Sequence, residues 1–507
     1  VEKEPGDAQK FAVCEDKQGN LWVHPVGGGL SWFDRENNEL KPFYNEVGTD
    51  AWRFSNKLHA MMLDHQGYLW LGTHSKGLDK VTFFKNEFQL IKPQNCKYDT
   101  NANQVRSLCQ DSRKQLWIGT RNSKVSVYSL DFQLQGYLTV DGRISLTGTP
   151  FRGSAYKIIE DSKKNIWIAT KGNGIVQLIP QGSGYKMLHY TYDANDIYSL
   201  SHNNVYDLCE DSYGRIWVVT FGGGIDYIEK ESDGSVRFIN SRNNLKSYPM
   251  ERCYKARRML LDKKGMLWVA TSNGLLAFSE KFERPDTIDF HLFVCMPNKR
   301  EVLSCNDIYD ILLTHDGRLF FATFGGGLNE LKSLDKNGNG LFTSYSAKDG
   351  LPTDVLSSLA EDTKGDIWIG SESGLSKMDI VNHHFDNYLK QEIGEELSFE
   401  ESTAIRAEDG RLLFGTNRGL LCFTPELIRK NSYVPGIVLS GLKIANKDVV
   451  PRPESVLPES LNSLSHLYLS HKENTVTLSF AALDMSFPEN VKYAYMLDGF
   501  DKEWNYV

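Results

Sequence analysis

The chain repeats one unit nine times, and that repetition restricts its fold more than any other feature. The best-kept copy is Asp211-Ser-Tyr-Gly-Arg-Ile-Trp217-Val-Val-Thr220-Phe-Gly-Gly-Gly-Ile225. The pattern returns around Trp22, Trp70, Trp117, Trp167, Trp268 and Trp368, with Phe320 and Leu413 at the Trp position of two degenerate copies. Anchor to anchor the steps are 48, 47, 50, 50, 51, 52, 48 and 45 residues. Each copy reads as a small antiparallel sheet. A first strand alternates, as in Val205-Tyr-Asp-Leu-Cys-Glu210, and Asp-x-x-Gly makes a tight turn. A second strand carries the Trp, a glycine turn leads to a third, and a fourth follows with aromatics such as Tyr190 or Phe238. Four short strands per repeat define a propeller blade. The Trp is then the flat apolar filler between blades, a core residue rather than a ligand contact.

Nine copies exceed an ordinary ring of about four to eight blades. The polar stretch 92–104, after Val81-Thr-Phe-Phe and Phe88-Gln-Leu-Ile91, marks the seam. The expected fold is all-β: residues 1–96 as the last two blades of a first, truncated propeller, and 97–430 as a complete seven-bladed β-propeller. Residues 431–507 open an incomplete Ig-like β-sandwich, with alternating strands at Ile437–Ile444 and Thr475–Phe480 around a Pro-containing linker at 450–458. Half a sandwich would leave edges and an apolar face uncovered, so the chain is expected to continue past Val507. Two blades depart from the pattern: Pro25 stands where the motif has Thr, and Ser123-Lys124-Val125 lacks the turn glycine.

The formal net charge of −8 argues against a general polyanion binder, so no nucleic-acid contact is expected. No apolar run approaches the roughly 18–20 residues that span a bilayer. None of the eight cysteines (Cys14, Cys96, Cys109, Cys209, Cys253, Cys295, Cys305, Cys422) forms a CxxC pair. Cys14, Cys109 and Cys209 share one repeat position and read as buried free thiols; a Cys295–Cys305 pairing stays open. The Gly-Gly-Gly runs at 27–29, 222–224 and 325–327 lack the Gly-Lys-Ser/Thr ending of a phosphate loop. Asp335-Lys-Asn-Gly-Asn-Gly340 starts like a calcium loop, but Ser346 stands where the twelfth-position Glu belongs, so it reads as a hairpin turn. His383-His384 reads as surface, and the Asp-x-x-Gly turn, which resembles the structural Asp-box of sialidases, implies no hydrolysis. No catalytic residue, metal site or cofactor is expected.

A ligand face follows from the strand order. Strand one runs toward the Asp-x-x-Gly turn, so the Thr-x-Gly turns and the segments before strand one lie on the opposite face. That face gathers Arg121, Lys171, Phe221, Phe324 and Arg418 with Asn204, Tyr206, Asn306 and Asp354. Aromatic faces beside hydrogen-bonding groups suit sugar rings.

The repeat Glu-Asp-Ser-x-Gly-x-Ile-Trp-x-x-Thr-x-Gly-Gly-Gly-Ile at 210–225 resembles the two-component regulator propeller repeat. The segment from Phe480-Ala-Ala-Leu-Asp through Tyr493-x-Tyr495-x-Leu-x-Gly-Phe-Asp-x-x-Trp504 is similar to the start of the Y_Y_Y domain that follows such propellers. Together they resemble the sensor region of Bacteroidetes hybrid two-component systems. The resemblance implies two seven-bladed propellers and the sandwich in the periplasm, sensing glycan-derived oligosaccharides that control polysaccharide-utilisation genes. It further implies a membrane helix beyond Val507, then a histidine kinase, a receiver and a DNA-binding domain, and a homodimer through the parent protein. This region itself would contact no membrane and carry no kinase activity. Two other readings stay open: a propeller scaffold for protein–protein interaction, and a carbohydrate-active propeller enzyme, for which no acid–base pair can be nominated.

Overall fold

Each repeat folds into one antiparallel meander whose strands pair in chain order. The computed structural model describes residues 11–16, 19–25, 29–35, 37–43, 57–64, 67–75, 77–81, 87–93, 100–122, 124–231, 235–296, 298–335, 338–428, 436–484, 491 and 493–506. Cys96 and Ser123 lie outside the described residues, as does the side chain of Pro25. The chain divides into two compact units, 1–86 and 87–507.

The first unit holds a four-stranded sheet, beginning at Phe11–Glu15, and a three-stranded one of Leu58–Leu63, Leu69–Thr73 and Leu78–Val81. Trp22, Leu30, Leu58, Leu69 and Leu71 form its core.

Among its described residues the second unit contains seven such sheets, numbered one to seven. Their first strands are Val105–Gln110, Ala155–Glu160, Val205–Glu210, Ala256–Leu261, Ile308–Leu313, Leu356–Glu361 and Phe399–Arg406. These strands lie side by side in sequence order, and the seventh returns to the first. The second strands are buried, as Ile216–Thr220 is along its whole length. Their Trp residues fill the layers between sheets: Trp117 packs with Ile158, Ile166 and Ile168 of sheet two, and Trp217 with Leu267, Val269 and Phe278 of sheet four. This is an all-β, multi-bladed propeller-like fold.

The two compact units part between residues 86 and 87, upstream of the seam expected at residue 96. Gln89–Ile91 pairs with Leu420–Phe423 as the outer strand of sheet seven, in the register Leu420↔Ile91 and Cys422↔Gln89. Phe88 adds its ring to the same layer, against Tyr388 and Phe423. Sequence adjacency assigns these residues to the blade before them, whereas the open edge of the last sheet recruits them.

The Asp that opens these turns does more than close the hairpin, also where Lys114 and Lys164 take the place of the glycine at positive φ. Asp161 Oδ1 accepts from the backbone N–H groups of Lys163 and Asn165, and Oδ2 accepts the Trp167 indole N–H at 2.8 Å. The same Asp–indole bond, six residues apart, recurs at Trp22, Trp70, Trp117, Trp217, Trp268 and Trp368. Where Phe320 and Leu413 replace Trp, Thr314 and Ala407 replace the Asp. A buried indole N–H needs an acceptor, so the two residues disappear together.

Beyond the seven sheets, Ile437–Ile444 pairs with Lys447–Asp448 and Val476–Ala482, and Ala494–Tyr495 pairs with Asn505–Tyr506. The cysteines among the described residues are free thiols, Cys295 and Cys305 included. Asp335 accepts from the Asn339 backbone and amide in a hairpin turn.

Candidate functional site

A defect repeated in every first strand builds the site. In each of the seven, the register against the second strand slips just after the first residue. A β-bulge leaves one residue out of the ladder and re-aims its side chain. The residues at the slip are Arg106, Tyr156, Tyr206, Arg257, Tyr309 and Ser357, with a longer slip in sheet seven that takes in Glu400 and Glu401. They meet one another around the axis. Arg106 donates to Glu400 and lies 3.4 Å from Glu401, while Arg257 donates to Glu401 at 2.6 Å and to Asp307 at 3.0 Å. The Arg106 guanidinium sits over Tyr156, 4.3 Å from the ring centre, and that of Arg257 over Tyr309 at 4.5 Å.

A second ring comes from the turns. The residue after the motif Thr or Ser is Arg121, Lys171, Phe221, Ser272, Phe324, Glu372 and Asn417 in sheets one to seven. In six of the sheets its N–H bonds the carbonyl of the residue preceding strand one, as Phe221 bonds Asn204 at 2.8 Å. The turn glycines then reach the next sheet. Gly222 and Gly224 donate to Tyr254, Gly274 to Asn306, and Gly325 and Gly327 to Asp354. Glycine is required at Gly174 and Gly327, where φ is +67° and +71° and a Cβ would strike the carbonyl oxygens of Tyr190 and Tyr345. The motif Thr fixes the turn, Thr170 Oγ1 donating to the Gly174 carbonyl at 2.7 Å.

The two rings join into an arc of π faces. Tyr156 and Tyr206 lie 4.8 Å apart, Tyr206 stacks on Phe221 at 4.9 Å and 18°, and Tyr309 meets Phe324 at 5.3 Å. Arg257 bridges the arc by lying over Phe221 as well as Tyr309. Lys171 and Lys255 stand over Tyr156 and Phe221. Phe324 is 48% exposed, so ring surface faces solvent. Burial pushes the Tyr206 and Tyr309 hydroxyls up to about 12, reinforced by neighbours including the Glu401 charge, so both stay hydrogen-bond donors at neutral pH. Burial also works against the charges of Arg106 and Arg257, but facing groups, Glu400 and Glu401 foremost among the carboxylates, outweigh it and raise both.

Beneath this crown, the residues that follow the bulge form a layer of alternating charge: Lys157, Asp207, Arg258 and Asp310. Arg258 lies 3.2 Å from carboxylate oxygens of both Asp207 and Asp310. Asp207 and Asp310 also accept the Met259 and Leu359 backbone N–H groups of sheets further round, tying sheets together about the axis.

Of the residues expected from sequence, Lys171, Tyr206, Phe221 and Phe324 meet in the arc, and Arg121 joins its edge through Gln104, which donates to Glu400. Asn204 flanks it, bridged to Lys171. Asn306 and Asp354 accept from turn glycines, and their side chains receive the Cys295 and Ala347 N–H groups. Arg418 stands outside the rings, 3.7 Å from Glu395, because Asn417 holds the ring position. The bulge residues other than Tyr206 escaped the sequence reading; aligning the second residue of every first strand brings them out.

Among the described residues, no group of three metal-ligating side chains occurs, and no helix is long and apolar enough to cross a membrane. With the fold and crown defined, the model of the two-component regulator propeller matches residues 100–122, 199–222 and 350–373. Over 481 residues the chain is 20% identical to histidine kinase P4 of Formosa agariphila, an alignment covering 94% of this chain and 30% of that protein. Its fold is that of a structure described as the extracellular domain of a hybrid two-component system from B. thetaiotaomicron, with a TM-score of 0.67 and 21% identity, covering 98% of this chain and 62% of that one. A second such domain from the same organism aligns with a TM-score of 0.52 and 19% identity, over 98% and 62%. The chain thus spans less than two thirds of the length of each relative.

Proposed function

We propose that this chain is the ligand-sensing region of a membrane-bound hybrid two-component histidine kinase, that it lies in the periplasm, and that it catalyses no reaction itself. In this reading the seven sheets are one complete seven-bladed ring, residues 1–86 are the last two blades of another, and 437–506 open a Y_Y_Y sandwich of Ig-like form. The ligand is a glycan-derived oligosaccharide, and its binding biases the parent kinase, a homodimer, toward expression of polysaccharide-utilisation genes. The regulator-repeat matches and the shared fold support the signalling role. The axial crown carries the ligand assignment: half-buried aromatic rings and the exposed Phe324, beside fixed donors and acceptors, match the apolar faces and hydroxyls of sugar rings. A ligand shifts signalling only by binding one arrangement better, and a tenfold preference corresponds to about 1.4 kcal/mol.

The test is calorimetric titration of the chain against a panel of plant, host and microbial oligosaccharides, repeated on Tyr206→Ala/Phe221→Ala. A saturable response to one glycan class, weakened by about tenfold or more in the double variant, is expected, since losing stacking faces costs on the order of 1–3 kcal/mol. Unchanged affinity in the double variant would move the site off the crown. A folded protein that binds nothing in a broad panel would return the protein scaffold as the better reading.

A further inference from the structure

The crown is polarised. At its three ring positions (the residue before strand one, the bulge, and the turn) sheets one to four contribute the cations Arg106, Arg121, Lys171, Lys255 and Arg257 and no carboxylate. Sheets five to seven contribute Asp307, Glu372, Glu400 and Glu401 and no cation. In a chain of net charge −8 this segregation runs against the composition.

Two of the cations are already neutralised within the crown, Arg106 by Glu400 and Glu401, and Arg257 by Glu401 and Asp307. The other three are not. Among the described residues, Arg121 bonds only the neutral Gln104, Lys171 stands over Tyr156, and Lys255 stands over Phe221 and Tyr254, with no carboxylate in ion-pair reach. Each flanks the arc of π faces. An ammonium held over a ring still presents N–H donors outward, where an anion can meet them.

We infer that the crown selects acidic oligosaccharides, those bearing uronate carboxylates or sulfate esters, and pairs their acid groups with Lys171 and Lys255, which flank the Tyr156–Tyr206–Phe221 run. This rests on the sugar-sensing reading of the crown. Carboxylate and sulfate share the chemistry in question, a compact anion on an equatorial or exocyclic position of a pyranose.

The experiment titrates the whole chain with matched pairs: an oligogalacturonide against its carboxyl-reduced counterpart, and a sulfated galactan oligosaccharide against its desulfated one. Expected is an acidic member that binds at least about tenfold more tightly than its neutral partner, with the advantage shrinking as salt rises to about 0.5 M. In Lys171→Gln/Lys255→Gln the ratio within that pair should fall to within about twofold, with an unchanged melting curve. The pair that shows the advantage identifies carboxylate or sulfate as the source. Equal affinity for acidic and neutral members, or a preference that survives in the double variant, would overturn the inference while leaving a sugar site in place. Failure of every member to bind would overturn both this inference and the sugar-sensing reading beneath it.

Discussion

At the scale of single residues, one buried acid makes stability depend on pH. Asp226, on the third strand of sheet three, is fully buried. Its Oδ1 accepts from the Ser201 N–H and the Asn240 amide, and its Oδ2 meets the Ser201 hydroxyl at 2.5 Å. Burial pushes its pKa from 3.8 up to about 7, against the opposing pull of these hydrogen bonds. A pKa raised on folding means the folded state holds the proton that the unfolded chain has released. The stabilisation is therefore full below the unfolded value, declines as pH rises through the folded one, and is lost above it; its size is on the order of 4 kcal/mol. Asp226→Asn places a permanent donor beside the Ser201 hydroxyl and keeps the acceptor, so the variant should fold. The difference in melting temperature between the natural chain and this variant should favour the natural chain at pH 5 and shift toward the variant by pH 8. A difference flat across that range would show that Asp226 titrates normally. Residues of this kind were opaque in the sequence, where Asp226 is simply the residue after the glycine turn and Ile225. Tyr206 was legible as a member of the ligand face, whereas Arg106, Tyr156, Arg257 and Tyr309 were not. The reason is physical: alternation assigns strand residues to faces by parity, and a bulge breaks parity without changing composition.

At the scale of the element, the hairpin closed by the motif Asp is both turn and core. Asp161 alone accepts from two backbone N–H groups, the Asn165 amide and the Trp167 indole. Asp161→Ala removes the acceptor of all four donors, two of them on the buried Asn165 and Trp167 side chains, which should cost about 2–4 kcal/mol, measurable as a lowered midpoint in chemical denaturation. A loss below about 0.5 kcal/mol, the size of an ordinary surface change, would show that the turn finds other partners. The strands themselves were readable from alternation and turn chemistry, and the Trp ladder from its spacing. The Asp–indole bond was equally present in the repeat, since Thr314 and Ala407 fall six residues before the two positions that lack Trp. It was missed because each half has a sufficient local explanation, a turn residue and a core residue. The links between hairpins were harder to read. Glu210 of sheet three accepts the N–H and hydroxyl of Ser162 in sheet two, as Glu160 does for Ser112 in sheet one. The Glu-Asp-Ser run is local in sequence, but its Glu and its Ser serve different neighbours.

At the scale of the molecule, the second unit is held by its closure. Six sheets draw their outer strands from the residues that follow their third, but sheet seven takes Gln89–Ile91 from upstream of sheet one. That strand covers the edge of Leu420–Phe423, and Phe88 completes a layer with Trp368, Tyr388, Phe414 and Phe423. A chain begun at residue 97, where the sequence alone puts the boundary, lacks the clasp. It would expose the backbone groups of an edge strand and lose the burial of Phe88, whose truncation alone should cost about 3–5 kcal/mol. A chain begun at residue 87 keeps both. The two forms, 87–507 and 97–507, should therefore differ in melting temperature by on the order of 10 °C, with the shorter one forming soluble aggregates in size-exclusion chromatography as its open edge finds partners. The comparison bears on function as well. Arg106 belongs to sheet one and its partners Glu400 and Glu401 to sheet seven, so the ion pairs of the crown straddle the joint that the clasp secures. Loosening that joint should weaken any ligand held by the crown before it unfolds the chain. Equal melting and equal ligand affinity in the two forms would mean that contact between the first and seventh sheets is sufficient, and that the borrowed strand only decorates the edge.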